Sequence, residues 1–358
     1  MSTRKALRAE GDYLKKYFNK DPRFEFVGII GAGATGVASR VRYNNPDNGA
    51  YKNFVIKRSI NKLAEQRALR NEEAHIRSMK GAMHIVQVLD IHDNPLQRPG
   101  TEELPVIEGH WVILEYLENG SIEKFINNTT ESLRTRLPNR LLWRFFLCLI
   151  KACIAMTYPE NINRGMLVSE TISADDANHG VEKGLSHNDI QPGNVLLGDA
   201  LKDGEHGITP QLKMIDFGTA AKFTTGEVLP SLDDKAAIGE IMLGLIILDP
   251  VPLISPGHPG PSRFKADMNT EEIMTQAIEL TPEWMDYGKY AWLDHDLRVL
   301  VCNLLRVDKE NQPSLRDLDR EITDAVHERD AAYYNNEEIE QDYSIKKLWH
   351  DIVHWAGP

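Results

Sequence analysis

His187-Asn188-Asp189-Ile190-Gln191-Pro192-Gly193-Asn194, followed by Ile215-Asp216-Phe217-Gly218, decides how this 358-residue chain is read. A carboxylate and a carboxamide five residues apart on one loop suit two roles in a single site. Asp189 would accept the proton of an attacking hydroxyl, or orient that hydroxyl, and Asn194 would ligate a magnesium ion. Asp216 closes an apolar run and offers a second hard oxygen ligand, of the kind Mg²⁺ takes beside phosphates. Either stretch alone reads as a turn cap. Both together, in this order and 27 residues apart from Asp189 to Asp216, point to metal-assisted phosphoryl chemistry.

Upstream, Gly31-Ala32-Gly33-Ala34-Thr35-Gly36 lies between two strand-like runs, 24–30 and 37–43. Glycines let backbone amides approach phosphate oxygens with no side chain between. A dinucleotide-binding reading would need a helix directly after the glycines, and 37–43 reads as a strand, which favours a flap over a nucleotide. Lys57 ends the apolar run 54–56, where an ammonium reaches α- and β-phosphates if a carboxylate orients it. Glu72 lies 15 residues on, in a predicted helix over 62–80. Glu73 competes for that role; Glu72 is preferred because Ile76 and Met79 then share its side of the helix.

These markers, in this order, resemble the eukaryotic protein kinase family: a GxGxxG flap, a strand lysine, a helix glutamate, an HxDxxxxN loop and DFG. The resemblance runs from about 24 to 326. It implies a bilobal α+β fold, with an antiparallel-sheet N-lobe plus one helix and a mostly helical C-lobe. It implies ATP and Mg²⁺ as cofactors, with Lys57, Glu72 and Asp189 catalytic and Asn194 and Asp216 on the metal. Gly31, Gly33 and Gly36 would cover the phosphates. Leu114-Glu115-Tyr116-Leu117 resembles the hinge, with Leu114 as gatekeeper and the Glu115 carbonyl and Leu117 amide bonding adenine. Ala38 and Val55 would line the base from above and Leu196 from below. Ala38 stands where the family has valine and Val55 where it has alanine, a loss and a gain of equal size that together conserve the space.

Four departures concern the acceptor side. Asn188 replaces the arginine that pairs with a phosphorylated activation loop, so that switch is not expected. Gln191 replaces a lysine that neutralises charge on the moving phosphoryl group, so turnover is expected to be slow or differently assisted. Only 15 residues separate Gly218 from Asp234, which opens the predicted apolar helix, and no Ala-Pro-Glu occurs. Gln312-Pro313 stands where the family has Arg-Pro. Losing both halves of that buried ion pair can be near neutral. The leading expectation is a divergent serine/threonine-type protein kinase. The alternatives are a nucleotide-binding pseudokinase or scaffold, and a small-molecule kinase of the choline or aminoglycoside type.

The remaining sequence bounds this reading. A net charge of −12 argues against nucleic-acid or anionic-membrane binding. Cys148, Cys153 and Cys302 have no CxxC spacing, so neither a zinc site nor a disulfide framework is expected. Residues 141–156 are apolar but short and carry Arg144 and Lys151, which reads as a buried helix rather than a membrane span. With no apolar leader at the start, a cytoplasmic location is expected. The protein partner or substrate is not legible. The chain divides on this reading into a helical N-terminal extension (1–23), an N-lobe (24–117), a C-lobe (118–326) with a polar surface insertion at about 159–184, and a C-terminal tail (327–358), acidic and then amphipathic. Further strands are expected at 85–91, 111–116, 195–197 and 212–215. Further helices are expected at 236–248, 297–304 and 315–326, and a proline-rich loop at 249–262.

Overall fold

The computed structural model describes residues 3–33, 36–43, 53–59, 63–91, 109–173, 183–224, 229–251, 253, 260–267, 269–282 and 287–357. It separates into two compact units, one of residues 1–81, 86–116 and 216–220, the other of 82–85, 117–215 and 221–358. The fold is α+β, with an antiparallel sheet towards the N-terminus and a mainly helical remainder.

The first unit is built on a four-stranded antiparallel sheet in sequential order: β1 (Phe24–Gly33), β2 (Gly36–Tyr43), β3 (Asn53–Arg58) and β4 (Trp111–Glu115). Period-two alternation sorts the side chains. Val41, Phe54, Ile56 and Ile113 point to one face and are buried there. Helix α1 (Thr3–Phe18) covers that face, adding Leu14, Tyr17 and Phe18 to the same cluster. Glu10 of α1 also forms a buried ion pair with Arg58. The charged lead-in is therefore part of a core.

Helix α2 (Leu63–Ser78) buries Leu69, Glu72 and Ile76, with Met79 just beyond its end. Leu63, at the first position of the helix, is 78% exposed. At about 100° per residue it lies some 240° around the axis from Leu69. The expected strand over 85–91 does not form. Leu89 N–H bonds Ile113 O and Glu115 N–H bonds Gln87 O, but the Glu115 carboxylate takes the Gln87 N–H at 2.8 Å, so only isolated bridges remain.

In the second unit, helix α3 (Ile122–Glu131) starts at Ser121, whose hydroxyl accepts from Lys124 N–H. Helix α4 (Asn139–Thr157) is buried along its whole length. No helix among the described residues is long and apolar enough to cross a membrane. Around α4 lie two hairpin-like pairs, β5 (Lys183–Ser186) with β8 (Ala221–Thr224) and β6 (Val195–Ala200) with β7 (Pro210–Met214). Helix α5 (Leu229–Ile247) begins five residues before Asp234, so that aspartate sits inside the helix and does not open it. Pro230 at its second position suits a helix start. A small pair, β9 (Ser262–Phe264) with β10 (Ile273–Thr275), precedes α6 (Tyr287–Tyr290), α7 (His295–Leu304), α8 (Leu315–Glu328) and α9 (Asp342–Val353).

The stretch after α4 is not purely a surface insertion. Val168 bridges to Ala82, and Glu170 is only 4% exposed. Its acidic and histidine residues Asp175, Asp176, His179 and Glu182 lie outside the described residues. The tail docks on its own unit: Asn128 Nδ2 donates to Ile352 O at 2.8 Å, and Trp349 Nε1 donates to Ile208 O at 3.1 Å. At the Arg-Pro position, Gln312 is buried and its amide donates to Leu304 O at 2.6 Å, so a neutral bond stands where the family has an ion pair.

Candidate active site

In the first unit, strand register gathers the expected nucleotide residues on the sheet face opposite α1. Gly31 pairs with Ala38, Ala38 with Lys57, and Val55 with Leu114. Alternation therefore puts Ala38, Val55, Lys57 and Leu114 on one face. Gly36 has φ +149° and lies so close to β3 that an added Cβ would fall 2.1 Å from the Arg58 carbonyl oxygen. Only glycine fits that close turn. A Cβ on Gly31 or Gly33 would meet nothing within 4 Å, so the hairpin edge there is open. Ala34 and Thr35 lie outside the described residues.

Lys57 is the centre of this face. Its Nζ donates to Glu72 Oε1 at 2.7 Å and to Asp216 Oδ1 at 2.7 Å. Glu72 is fully buried on α2, whereas the Asp216 side chain is 39% exposed. Glu73, the competing carboxylate, turns away to Arg77 and His110. One carboxylate is thus a fixed anchor for the ammonium and the other is open to solvent or a ligand. Asp216 adopts φ 63°, ψ 68°, a left-handed conformation that costs a non-glycine residue about 1–2 kcal/mol. The next residue, Phe217, is completely buried, and α2 packs on the turn it begins. That burial and the Lys57 bond hold the strained aspartate.

In the second unit, Asp189, Gln191 and Asn194 form one tight loop. Asn194 Nδ2 donates to the Asp189 carbonyl and to Asp189 Oδ2, both at 2.9 Å. Gln191 Nε2 donates to Asp189 Oδ1 at 3.0 Å. The loop is braced from below by Asp234, which accepts from His187 N–H at 3.0 Å and Asn188 N–H at 3.3 Å. Burial raises the Asp234 carboxyl to about 6, against the opposing pull of those two amides and Ser186. His187 is buried and its Nε2 donates to Ile215 O at 2.9 Å. Leu196 sits half-buried on β6, paired with Lys213. Leu117 lies two residues past the end of β4.

Residues 24–234 match the model of the protein kinase domain. The chain belongs to the protein kinase family. The matched stretch begins at β1 and ends at the Asp234 brace, inside α5. No curated protein matches the chain at a significant level.

Within this kinase domain the first unit offers the Asp216 carboxylate beside one anchored ammonium, and the second unit offers the oxygens of Asp189 and Asn194. Hard oxygen donors of this kind are the ones magnesium takes. Two features escaped the sequence reading. Asp234 braces amides 46 and 47 residues upstream, a spacing with no local signature. Gln191 carries no charge but can donate a hydrogen bond, and the partner that the sequence does not show is Asp189 itself, one of whose oxygens accepts it.

Proposed function

We propose that the chain is an ATP- and magnesium-dependent phosphotransferase that moves the γ-phosphoryl group to a hydroxyl, most directly a serine or threonine hydroxyl of a protein. The observation that carries this reading is the Lys57 ammonium, fixed by buried Glu72 and shared with half-exposed Asp216. A free lysine would be a mobile surface charge. An anchored one is pre-organised to hold α- and β-phosphate oxygens at no further ordering cost. The sheet face bearing Ala38, Val55 and Leu114 would take the adenine, with the Glu115 carbonyl and Leu117 amide as its hydrogen-bond partners and Leu196 against it. Gly31, Gly33 and Gly36 would bring backbone amides to the phosphates. Magnesium, on Asp216 and Asn194, would offset charge on the transferring group. Asp189 would orient the acceptor hydroxyl and take its proton as the new P–O bond forms and ADP leaves.

One observation favours a second reading, a nucleotide-binding module with little turnover. Both oxygens of Asp189 already accept amide hydrogen bonds, from Gln191 and Asn194. Each such bond occupies an oxygen that the acceptor hydroxyl would use, and glutamine brings no charge to the transition state. The test is transfer from γ-labelled ATP with magnesium, for the wild type, Asp189→Ala and Asp216→Ala. A kinase labels itself or a generic protein acceptor, and both variants fall at least about 100-fold. Binding seen as a magnesium-dependent thermal shift, with no labelling above the Asp189→Ala background, would establish the second reading. No shift and no labelling would sink both.

A further inference from the structure

A second constellation of chemistry-bearing side chains lies in the second unit and plays no part in the proposed transfer. His84 follows α2, Cys148 is at the middle of α4, and His206 is in the loop between β6 and β7. All three are buried, at 0%, 2% and 1% exposure. Their donor atoms converge. His84 Nε2 is 3.1 Å from His206 Nε2, and Cys148 Sγ is 3.4 Å from the same His206 nitrogen. The three donor atoms lie within 4.8 Å of one another.

The outer hydrogen bonds fix how the rings present themselves. His84 Nδ1 faces Glu170 Oε2 at 2.6 Å, and His206 Nδ1 faces Asp203 Oδ2 at 3.0 Å. A carboxylate can only accept, so each Nδ1 carries the hydrogen. That leaves the Nε2 lone pairs of both rings aimed at one another across 3.1 Å, beside a sulfur. Two lone pairs do not stay at that distance in a buried space unless a proton or a cation lies between them. Carboxylates on the far nitrogens are the usual outer partners of metal-bound histidines, because they set the tautomer and raise ligand basicity.

We propose that His84, His206 and Cys148 form a buried zinc site that supplies three of the ion's four ligands, with Glu170 and Asp203 as its outer carboxylates. Tetrahedral zinc, with bonds of about 2.0–2.1 Å to nitrogen and 2.3 Å to sulfur, needs N···N near 3.3 Å and N···S near 3.6 Å. The His84–His206 spacing of 3.1 Å and the Cys148–His206 spacing of 3.4 Å agree with these within a few tenths of an ångström. Two imidazoles and a thiolate are also the borderline-soft set that zinc takes, unlike the hard oxygens of the candidate active site. Two carboxylates and a thiolate bring three negative charges together here, and a dication offsets two of them. Sequence spacing hides the site. The histidines are 122 residues apart and the cysteine is 58 from the second, so no CxxC or HxxxH signature exists.

The ion would add a direct link between α4 and two loops, the one that carries His84 and the one between β6 and β7. Glu170 also accepts from the His84 N–H at 2.9 Å, and Lys151 on α4 donates to the Glu170 carbonyl at 2.8 Å. The site would therefore pin the 159–173 stretch and the β6–β7 loop to the central helix. It is distinct from the transfer chemistry, so the two are separable by experiment.

The test uses the full chain, untagged and purified without chelator. Elemental analysis is expected to give about one zinc per chain, in Asp189→Ala as in the wild type. Exhaustive chelation should lower the melting temperature by at least about 5 °C, and added zinc should restore it. Cobalt refilling should give a near-ultraviolet thiolate-to-cobalt band that Cys148→Ser loses while visible bands from the two histidines persist. The cobalt spectrum of the wild type keeps the test valid if the variant fails to fold. Less than a tenth of an equivalent of metal, a melting point indifferent to chelator and zinc, and no thiolate band would overturn the proposal in favour of a proton-sharing cluster. One copper in place of zinc would overturn the choice of ion.

Discussion

Asp234 shows how a single carboxylate governs the loop above it. Burial holds its folded pKa at about 6, above the ordinary 3.8. Between those values the folded chain binds more protons than the unfolded one, so this group's contribution to stability falls as pH rises from about 4 through about 6. Asn at 234 keeps one acceptor and does not titrate. The difference in stability between wild type and Asp234→Asn should therefore shift towards the variant by about 2 kcal/mol from pH 4.5 to pH 7. Urea unfolding at the two pH values measures it, and other titrating groups cancel in the difference. A pH-independent difference would mean that the carboxylate is not strained by burial. At this scale the sequence was most informative where chemistry needs a rare residue in a marked context. A lysine ending an apolar strand and a glutamate on a buried helix stripe meet at 2.7 Å. It was least informative for side chains whose partners are distant in sequence, as with Asp234 and the amides of 187–188.

Helix α4 poses an electrostatic problem that another element solves. It is buried from end to end, and its N-cap is Pro138, which offers no side-chain acceptor. The first amides of a helix lack intrahelical partners and carry positive partial charge. Glu340, 201 residues away in the tail, provides both: Oε1 accepts from Asn139 N–H at 2.7 Å and Oε2 from Arg140 N–H at 3.1 Å. Glu340→Ala should strand two buried amides and cost about 2–4 kcal/mol, while Glu340→Gln, which keeps one acceptor, should cost less than half as much. Equal losses in urea-midpoint measurements would place the effect in packing rather than capping. Elements with strong periodicity, such as α4 and α8, were legible within a few residues. The strand expected over 85–91 was not, because the Glu115 carboxylate takes an amide that a ladder would use. Apolar pattern reports which side chains seek burial, and says nothing of competing side-chain acceptors.

At the scale of the molecule, the terminal segments are structural parts of the units they join, although the family match stops short of both. Leu14, Tyr17 and Phe18 of α1 are buried against β1–β3, each contributing about 1.5–3 kcal/mol. Their sum, roughly 6 kcal/mol, equals the low end of a whole domain's stability. Tail residues Ile345, Leu348 and Ile352 make the corresponding contribution in the second unit, where α9 packs on α3. Because contacts concentrate within each unit, the two truncations should loosen different parts of the chain. Removing residues 1–20 should raise amide exchange across β1, β2 and β3 and leave α4 and α8 protected. Removing residues 333–358 should raise exchange in α3 and at the start of α4 and leave β1–β3 protected. Exchange measured by mass spectrometry resolves both patterns in one experiment. If either truncation instead exposed both units equally, the units would share one cooperative transition, and the separate cores would not be independent sources of stability. The selective outcome follows if α1 and α9 each act on the core they touch, as the burial of their apolar faces requires.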